Sequence, residues 1–153
     1  MPKELLVREY LPGDASCIIR LHKASEESFE EIGLCEEFID YIAYRDDFHF
    51  FLACLGDETI GFCGILYYPN MRRAEIGPIA VAEKARKSKV GRLLLENAES
   101  YLKKRGIRRV IAKVKAENNA ARGFFNRMGY AEEGLFKEYT RQGEDVVQFV
   151  KFI

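Results

Sequence analysis

Between Ile79 and Leu95 an apolar run, Ile79-Ala80-Val81, passes through a loop carrying Lys84, Arg86, Lys87 and Lys89 and opens directly into a segment of helical periodicity that also holds Arg92. This juncture constrains the fold more than any other stretch. Cations at the start of a helix oppose the partial positive charge of the macrodipole. An anion seated there removes the conflict, because free backbone N–H groups and the cationic side chains then converge on one negative ligand. The flanks define the setting. Ala74 to Val81 reads as a strand, and the helix from about Ser88 to Arg105 places Val90, Leu93, Leu94, Ala98, Tyr101 and Leu102 on one face. Gly106 stops it after Lys103, Lys104 and Arg105, and Ile107 to Lys115 is the next strand. Residues 74–115 therefore form a β-loop-α-β unit with parallel neighbouring strands and a right-handed crossover. The basic loop then lies at the C-terminal end of its strand, where open α/β sheets receive ligands.

The remaining segments surround this unit. Leu5 to Tyr10 is a first strand, followed by a Pro12-Gly13-Asp14 turn in which Asp14 caps a helix running to about Lys23. Residues 25–47 are acidic and aromatic, and Phe38, Ile39, Ile42 and Ala43 have helical spacing. From His49 the period changes. Phe50 to Leu55, a Gly56-Asp57 turn and Thr59 to Tyr68 form a hairpin that Pro69-Asn70 ends. Asn118 caps a short helix to Met128, with Ala121, Phe124, Phe125 and Met128 as its apolar side and Gly129 as its stop. Two closing strands, about Tyr130 to Thr140 and Val146 to Phe152, are joined around Gln142-Gly143.

Composition limits the function classes. At 153 residues the chain is expected to be one domain, residues 1–153, large enough to dispense with a structural metal or disulfide. Lys plus Arg and Asp plus Glu are equal at 24 each, so no global bias toward nucleic acid exists and any anion site is local. Cys17, Cys35, Cys54 and Cys63 lack metal-ligand spacing and read as buried free thiols in a reducing compartment. The charged N-terminal stretch is no signal region, and no apolar run approaches the ~18 residues of a membrane span. The expectation is a cytoplasmic protein with no metal, no membrane partner and no nucleic-acid partner.

Two motifs carry a family resemblance. Arg86-Lys87-Ser88-Lys89-Val90-Gly91 resembles the Q/R-x-x-G-x-G/A pyrophosphate segment of the GNAT superfamily of acyl-CoA-dependent N-acetyltransferases, with Lys89 replacing the central glycine. Asn118 to Tyr130 resembles that family's N-x-x-A-x-x-x-Y-x-x-x-G-F segment at Asn118, Ala121, Gly129 and Tyr130. The resemblance covers nearly the whole chain. It implies an α/β (α+β) fold with a central mixed, mostly antiparallel sheet of six to seven strands and about four flanking helices. It further implies acetyl-CoA as cosubstrate, held by the main chain of Ile79, Ala80 and Val81, by Arg86, Lys87, Ser88, Lys89, Val90, Gly91 and Arg92, and by Asn118, Ala121 and Phe125. Lys89 either takes an ordinary backbone conformation or tolerates strain of roughly 1–3 kcal/mol. Phe125 stands where many members carry the tyrosine that protonates the departing thiolate, so here it reads as a core residue or a wall against pantetheine.

An attacking alkylamine has a pKa near ~10, so a proton acceptor raises its reactive fraction. Glu75 falls where histone-type members carry a catalytic glutamate, four residues before the cofactor-pairing segment. The other family position for a glutamate is Lys113, which is no base while protonated. Glu75 is the expected base; the competing reading pairs it with Arg72 or Arg73 on the surface. His22 and His49 read as surface or packing residues, and Tyr67 and Tyr68 either line the acceptor cleft or pack. Glu26, Glu27, Glu30, Glu31, Glu36 and Glu37 either attract a cationic acceptor or form a solvated face. The expected function is acetyl transfer to a primary amine on a small molecule or a peptide, by a monomer or homodimer. The alternative is an acyl-CoA-binding sensor of the same fold without turnover.

Overall fold

A computed structural model describes residues 3–31 and 33–153. Met1 and Pro2, part of the charged N-terminal stretch, and Ile32, within the acidic and aromatic segment, lie outside the described residues. The elements run β1 Leu5–Glu9, α1 Ala15–Ala24, α2 Glu36–Ala43, β2 Phe48–Leu55, β3 Glu58–Tyr68, β4 Arg73–Val81, α3 Val90–Lys104, β5 Arg109–Lys115, α4 Asn119–Arg127, β6 Ala131–Phe136 and β7 Val146–Phe152. They build one seven-stranded sheet in the order β1-β2-β3-β4-β5-β7-β6. Among the described residues only β4 and β5 pair in parallel, as the crossover through α3 requires; every other pair among them is antiparallel.

Both faces of the sheet are covered, which explains why β2 reads as a nearly unbroken apolar run. Phe51 and Ala53 face the cluster under α3, whereas Phe50, Leu52 and Cys54 face the one under α1 and α2. Helix α3 supplies Val90, Leu94, Leu95, Ala98 and Leu102 to its side, a spacing that keeps one stripe turned inward. Leu94 and Leu95 are fully buried, which contributes about 1.5–3 kcal/mol each. The helix ends where Gly106 turns left-handed at φ 78°. There the Ile107 N–H donates to the Leu102 carbonyl and the Gly106 N–H to the Lys103 carbonyl, both at 3.1 Å, which satisfies two terminal acceptors. The same device closes α4, with Gly129 at φ 88° and the Tyr130 N–H donating to the Phe125 carbonyl at 2.9 Å.

Three expectations are corrected. The first closing strand stops at Phe136 instead of reaching Thr140. Glu138 is left-handed at φ 49°, and its N–H is taken by the Asp145 carboxylate at 2.9 Å, so the chain turns away there. Asp14 occupies the N-cap position of α1 but makes no side-chain cap. Its carboxylate is drawn instead to the Arg8 guanidinium, at 2.7 and 2.9 Å, and to the Leu11 N–H. Cys35 is exposed and Cys17 half-buried; only Cys54 and Cys63 are buried thiols. Strand β4 also carries an irregularity. Its pairing with β3 shifts register between Ile76 and Ile79, around Gly77 and Pro78.

Candidate active site

That irregularity opens the site. Ahead of it Ala74 and Ile76 face the α3 side of the sheet; beyond it Ile79 and Val81 pack there and Ala80 turns to the α1 side. One extra residue has reversed the alternation of the strand. Parallel pairing between β4 and β5 ends at Ile76 and Ala112, although β4 continues along β3 to Val81 and β5 along β7 to Lys115. The two strands therefore part, and a cleft of about 710 Å³ occupies the gap.

The main chain along one wall is set by strand alternation. Ala82 donates to the Ile60 carbonyl at 2.7 Å, so Ala80, two residues earlier, also directs its amide edge to β3. Ile79 and Val81 direct theirs into the gap. The Val81 carbonyl is taken by Arg86 Nε at 3.1 Å, leaving the Ile79 N–H and C=O and the Val81 N–H facing the opening. Ala80 lines the cleft with the others, but its amide edge is spent within the sheet.

At the end of this wall stands the basic loop. Lys89 holds φ −83° and ψ 3°, an unstrained conformation, so the missing glycine costs no backbone strain. The left-handed residue is Lys87, at φ 63°. Lys84 pairs with Glu58, Arg92 with Glu96 at 2.7 Å, and Arg86 also donates to Ser25 Oγ at 2.5 Å. Among the described residues Lys87 and Lys89 have no ion-pair partner, and the N–H groups of Lys87, Ser88 and Lys89 have no main-chain acceptor. No acidic residue occupies the first turn of α3. Ser88 Oγ donates to the Ala85 carbonyl and accepts from the Val90 N–H at 3.5 Å, and the Val90 side chain is buried in the α3 core. Arg86 and Gly91 line the cleft on either side of this stretch.

The opposite wall comes from α4. Asn118, Ala121, Phe124 and Phe125 line the cleft. Asn118 Oδ1 caps α4 by accepting from the Ala121 N–H at 3.1 Å, which leaves its amide NH₂ available. Phe125 is buried against Tyr130 and Phe149, with ring centroids 5.3 and 5.8 Å away, and carries no proton to give.

Glu75 lies at the apex, just before the strands part, and it pairs with neither Arg72 nor Arg73. Its Oε1 is 3.4 Å from Lys113 Nζ, and the two side chains keep 33% and 29% of their exposure. Burial disfavours the Lys113 ammonium, but Glu75 and Tyr139 more than offset it and hold its pKa above the ordinary value. Lys113 also sits 5.6 Å from the Tyr139 ring centroid.

Beyond the apex the cleft continues between α2 and the β6–β7 connection. Leu34, Phe38, Ile42, Phe48 and Tyr68 supply apolar surface, and Glu27, Glu30 and Glu31 stand on its rim while Glu26, Glu36 and Glu37 do not. Tyr139 and Thr140 close this end. Both fall in the connection between β6 and β7 and not within the expected closing strand. Tyr67 belongs to the other face, where its hydroxyl meets that of Tyr101 at 3.4 Å. His22 is buried and stacked on Phe29, and burial lowers its pKa. Burial pushes the Cys63 thiol up to about 12, which removes it as a nucleophile. Among the described residues no cluster of His, Cys, Asp or Glu could hold a metal ion, and no helix is long and apolar enough to cross a membrane.

Residues 18–130 match the acetyltransferase (GNAT) family. The chain belongs to that family. It is 38% identical over 137 residues to an uncharacterised N-acetyltransferase of Chlorobaculum tepidum, across 89% of this chain and 80% of the relative. Among solved structures, a GNAT acetyltransferase from Streptococcus pneumoniae superimposes with a TM-score of 0.79 at 26% identity, covering 98% of this chain and 100% of the other. The ribosomal-protein-S18-alanine N-acetyltransferase of Escherichia coli does so with a TM-score of 0.81 at 20% identity, covering 98% and 94%. The strand gap, the basic loop and the Asn118 helix are thus features of a GNAT protein.

Proposed function

We propose that this GNAT protein transfers an acetyl group from acetyl-CoA to a primary amine borne by a small molecule or a peptide. One observation carries the reading: the parted strands β4 and β5 run from a carboxylate at their apex to a loop of free N–H groups and unpaired lysines at their mouth. The residues present suit the cosubstrate. Open amide edges at Ile79 and Val81 fit the amides of a pantetheine arm, and Lys87, Lys89 and the start of α3 fit a pyrophosphate.

Bound there, acetyl-CoA supplies a thioester carbonyl that a neutral amine attacks. Glu75 takes the proton that the amine must lose, directly or through a water molecule. The Ile79 N–H, the nearer of the two to Glu75, supplies a donor toward the carbonyl oxygen as it gains negative charge, which leaves the Val81 N–H to the pantetheine arm, and such a donor contributes about 2.7–4 kcal/mol where its geometry is right. Because Phe125 has no proton, the thiolate takes one from water. The unpaired thiols suit a reducing compartment, and the cytoplasm is the location we assign.

Calorimetric titration with acetyl-CoA, followed by thiol release over a panel of amines and peptide N-termini, tests this reading. Binding followed by acceptor-dependent release supports it. Binding without turnover of any acceptor supports the sensor instead, which Phe125 and the engaged Glu75 would suit. Absence of binding contradicts both.

A further inference from the structure

The Glu75–Lys113 pair differs from the other charges in the cleft. Arg45 is gripped by both oxygens of Asp47 at 2.8 and 2.7 Å, and Lys115 donates to the Glu27 carbonyl at 2.8 Å and meets Glu144 at 3.1 Å. Lys113 and Glu75, at 3.4 Å, form the longest ion pair among the described residues, well beyond the ~2.7–2.9 Å of a tight charge-assisted contact. Both remain partly exposed to the cavity, at the point where the acceptor's nitrogen must arrive if the acyl-transfer reading holds.

A bare ammonium arriving there can engage Glu75 only by drawing it from Lys113. That leaves the Lys113 ammonium, whose side chain keeps 29% of its exposure, without its one carboxylate partner, a loss that solvent only partly makes good. An acceptor with a carboxylate one carbon away from its amine replaces both partners at once: its ammonium meets Glu75, its carboxylate meets Lys113, and no charge is left alone. Leu34, Phe38, Ile42 and Phe48 then provide an apolar recess for the rest of the molecule. The exposed carboxylates of Glu27, Glu30 and Glu31 stand at the solvated rim, where screening limits their effect on an anion held deeper in the cleft.

We propose that the acceptor is a free α-amino acid with an apolar side chain, and that Lys113 is the residue that recognises its carboxylate. This rests on the acyl-transfer reading and narrows it. The amino nitrogen forms a bond to the acetyl carbon as the carbon–sulfur bond breaks. The bound ammonium gives one proton to Glu75 before the attack and the nitrogen sheds a second as the amide forms; both leave through Glu75 to solvent, water returns one to the thiolate, and the products are an N-acetyl amino acid, CoA and one released proton.

The test compares L-phenylalanine, L-phenylalaninamide and 2-phenylethylamine, and the corresponding leucine series, by thiol release from acetyl-CoA. Separately, each free amino acid is titrated calorimetrically into the protein saturated with CoA. The free acids are expected to exceed the amides and amines in kcat/KM by about tenfold or more, the value of one charge-assisted contact. Lys113→Met is expected to erase that preference mainly through KM, and Lys113→Arg to keep part of it; thermal unfolding of both variants verifies that they fold. Equal or better use of the amides, or a preference that survives Lys113→Met, overturns the proposal. If CoA binds but no acceptor turns over, acyl transfer fails on its own. The titration then decides: amino-acid binding lost in Lys113→Met sustains carboxylate recognition, and no binding overturns it.

Discussion

Exchanging the two lysines of the basic loop for glycine separates backbone strain from charge. Lys87 is left-handed at φ 63°, a conformation that costs an L-residue about 1–2 kcal/mol, whereas glycine's freedom in the unfolded chain costs about 0.5–1 kcal/mol. Lys87→Gly is therefore expected to leave stability unchanged or raise it by up to about 1.5 kcal/mol, which for a chain of this size lifts Tm by roughly 2–4 °C per kcal/mol. Lys89 has no strain to relieve and sits at the N-cap of α3 without a side-chain cap, a position that glycine tolerates, so Lys89→Gly is expected to shift stability by no more than about 0.5 kcal/mol. Both changes remove an exposed cation from the proposed anion site. Each should weaken acetyl-CoA binding by about two- to fivefold, with a shallower dependence on salt. Denaturant titration and calorimetry on the two variants give both quantities. If Lys89→Gly proved the stabilising change, the strain would sit at the position where the family pattern has glycine, and the assignment would be wrong. Unchanged affinity in both variants would show the lysines to be solvated surface charges.

Three further outcomes follow from the geometry. Asn118→Ala removes the acceptor for the Ala121 N–H and should cost about 0.5–2 kcal/mol in urea unfolding, with weaker acetyl-CoA binding because the α4 wall loosens. Gly64→Ala places a methyl 2.9 Å from Phe48 Cζ and 3.1 Å from the Gly77 carbonyl, so it should cost about 1–3 kcal/mol and disturb the opening between β4 and β5, read as a raised KM for acetyl-CoA. Burial alone would raise the Asp14 pKa, but the Arg8 guanidinium and the Leu11 N–H lower it overall. The unfolded chain then binds more protons than the folded one. The stability gained is present above the ordinary carboxylate pKa of ~3.9 and is lost as pH falls through the lower folded value, so Arg8→Gln should flatten the acid limb of an unfolding profile.

The strand-loop-helix-strand unit was legible because every signal within residues 74–115 agreed: periodicity, the Gly106 stop, the cations at the loop. Where local signals misled, a side chain just outside the element, six or seven residues away, intervened. Asp14 looks like a helix cap until Arg8, on β1, takes its carboxylate. The closing strand looks continuous to Thr140 until Asp145, across the hairpin, turns it at Glu138. The gap between β4 and β5 was half legible, since Pro78 has no N–H to give a strand, and a proline within an inner strand points to a bulge. The partner of Glu75 was not legible. The meeting of Lys113 with Glu75 depends on the register of two parallel strands, which sequence spacing does not state. The same holds for the acceptor end, assembled from residues near 30, 68 and 139.

The central claim is that Glu75 accepts the amine's proton in a site built to hold acetyl-CoA, and comparing Glu75→Gln with the native chain tests it most directly. With an acceptor that supports turnover, the substitution is predicted to lower kcat by about 10²–10⁴-fold near neutral pH while leaving the Kd for acetyl-CoA unchanged. Turnover that persists undiminished in Glu75→Gln would contradict the claim.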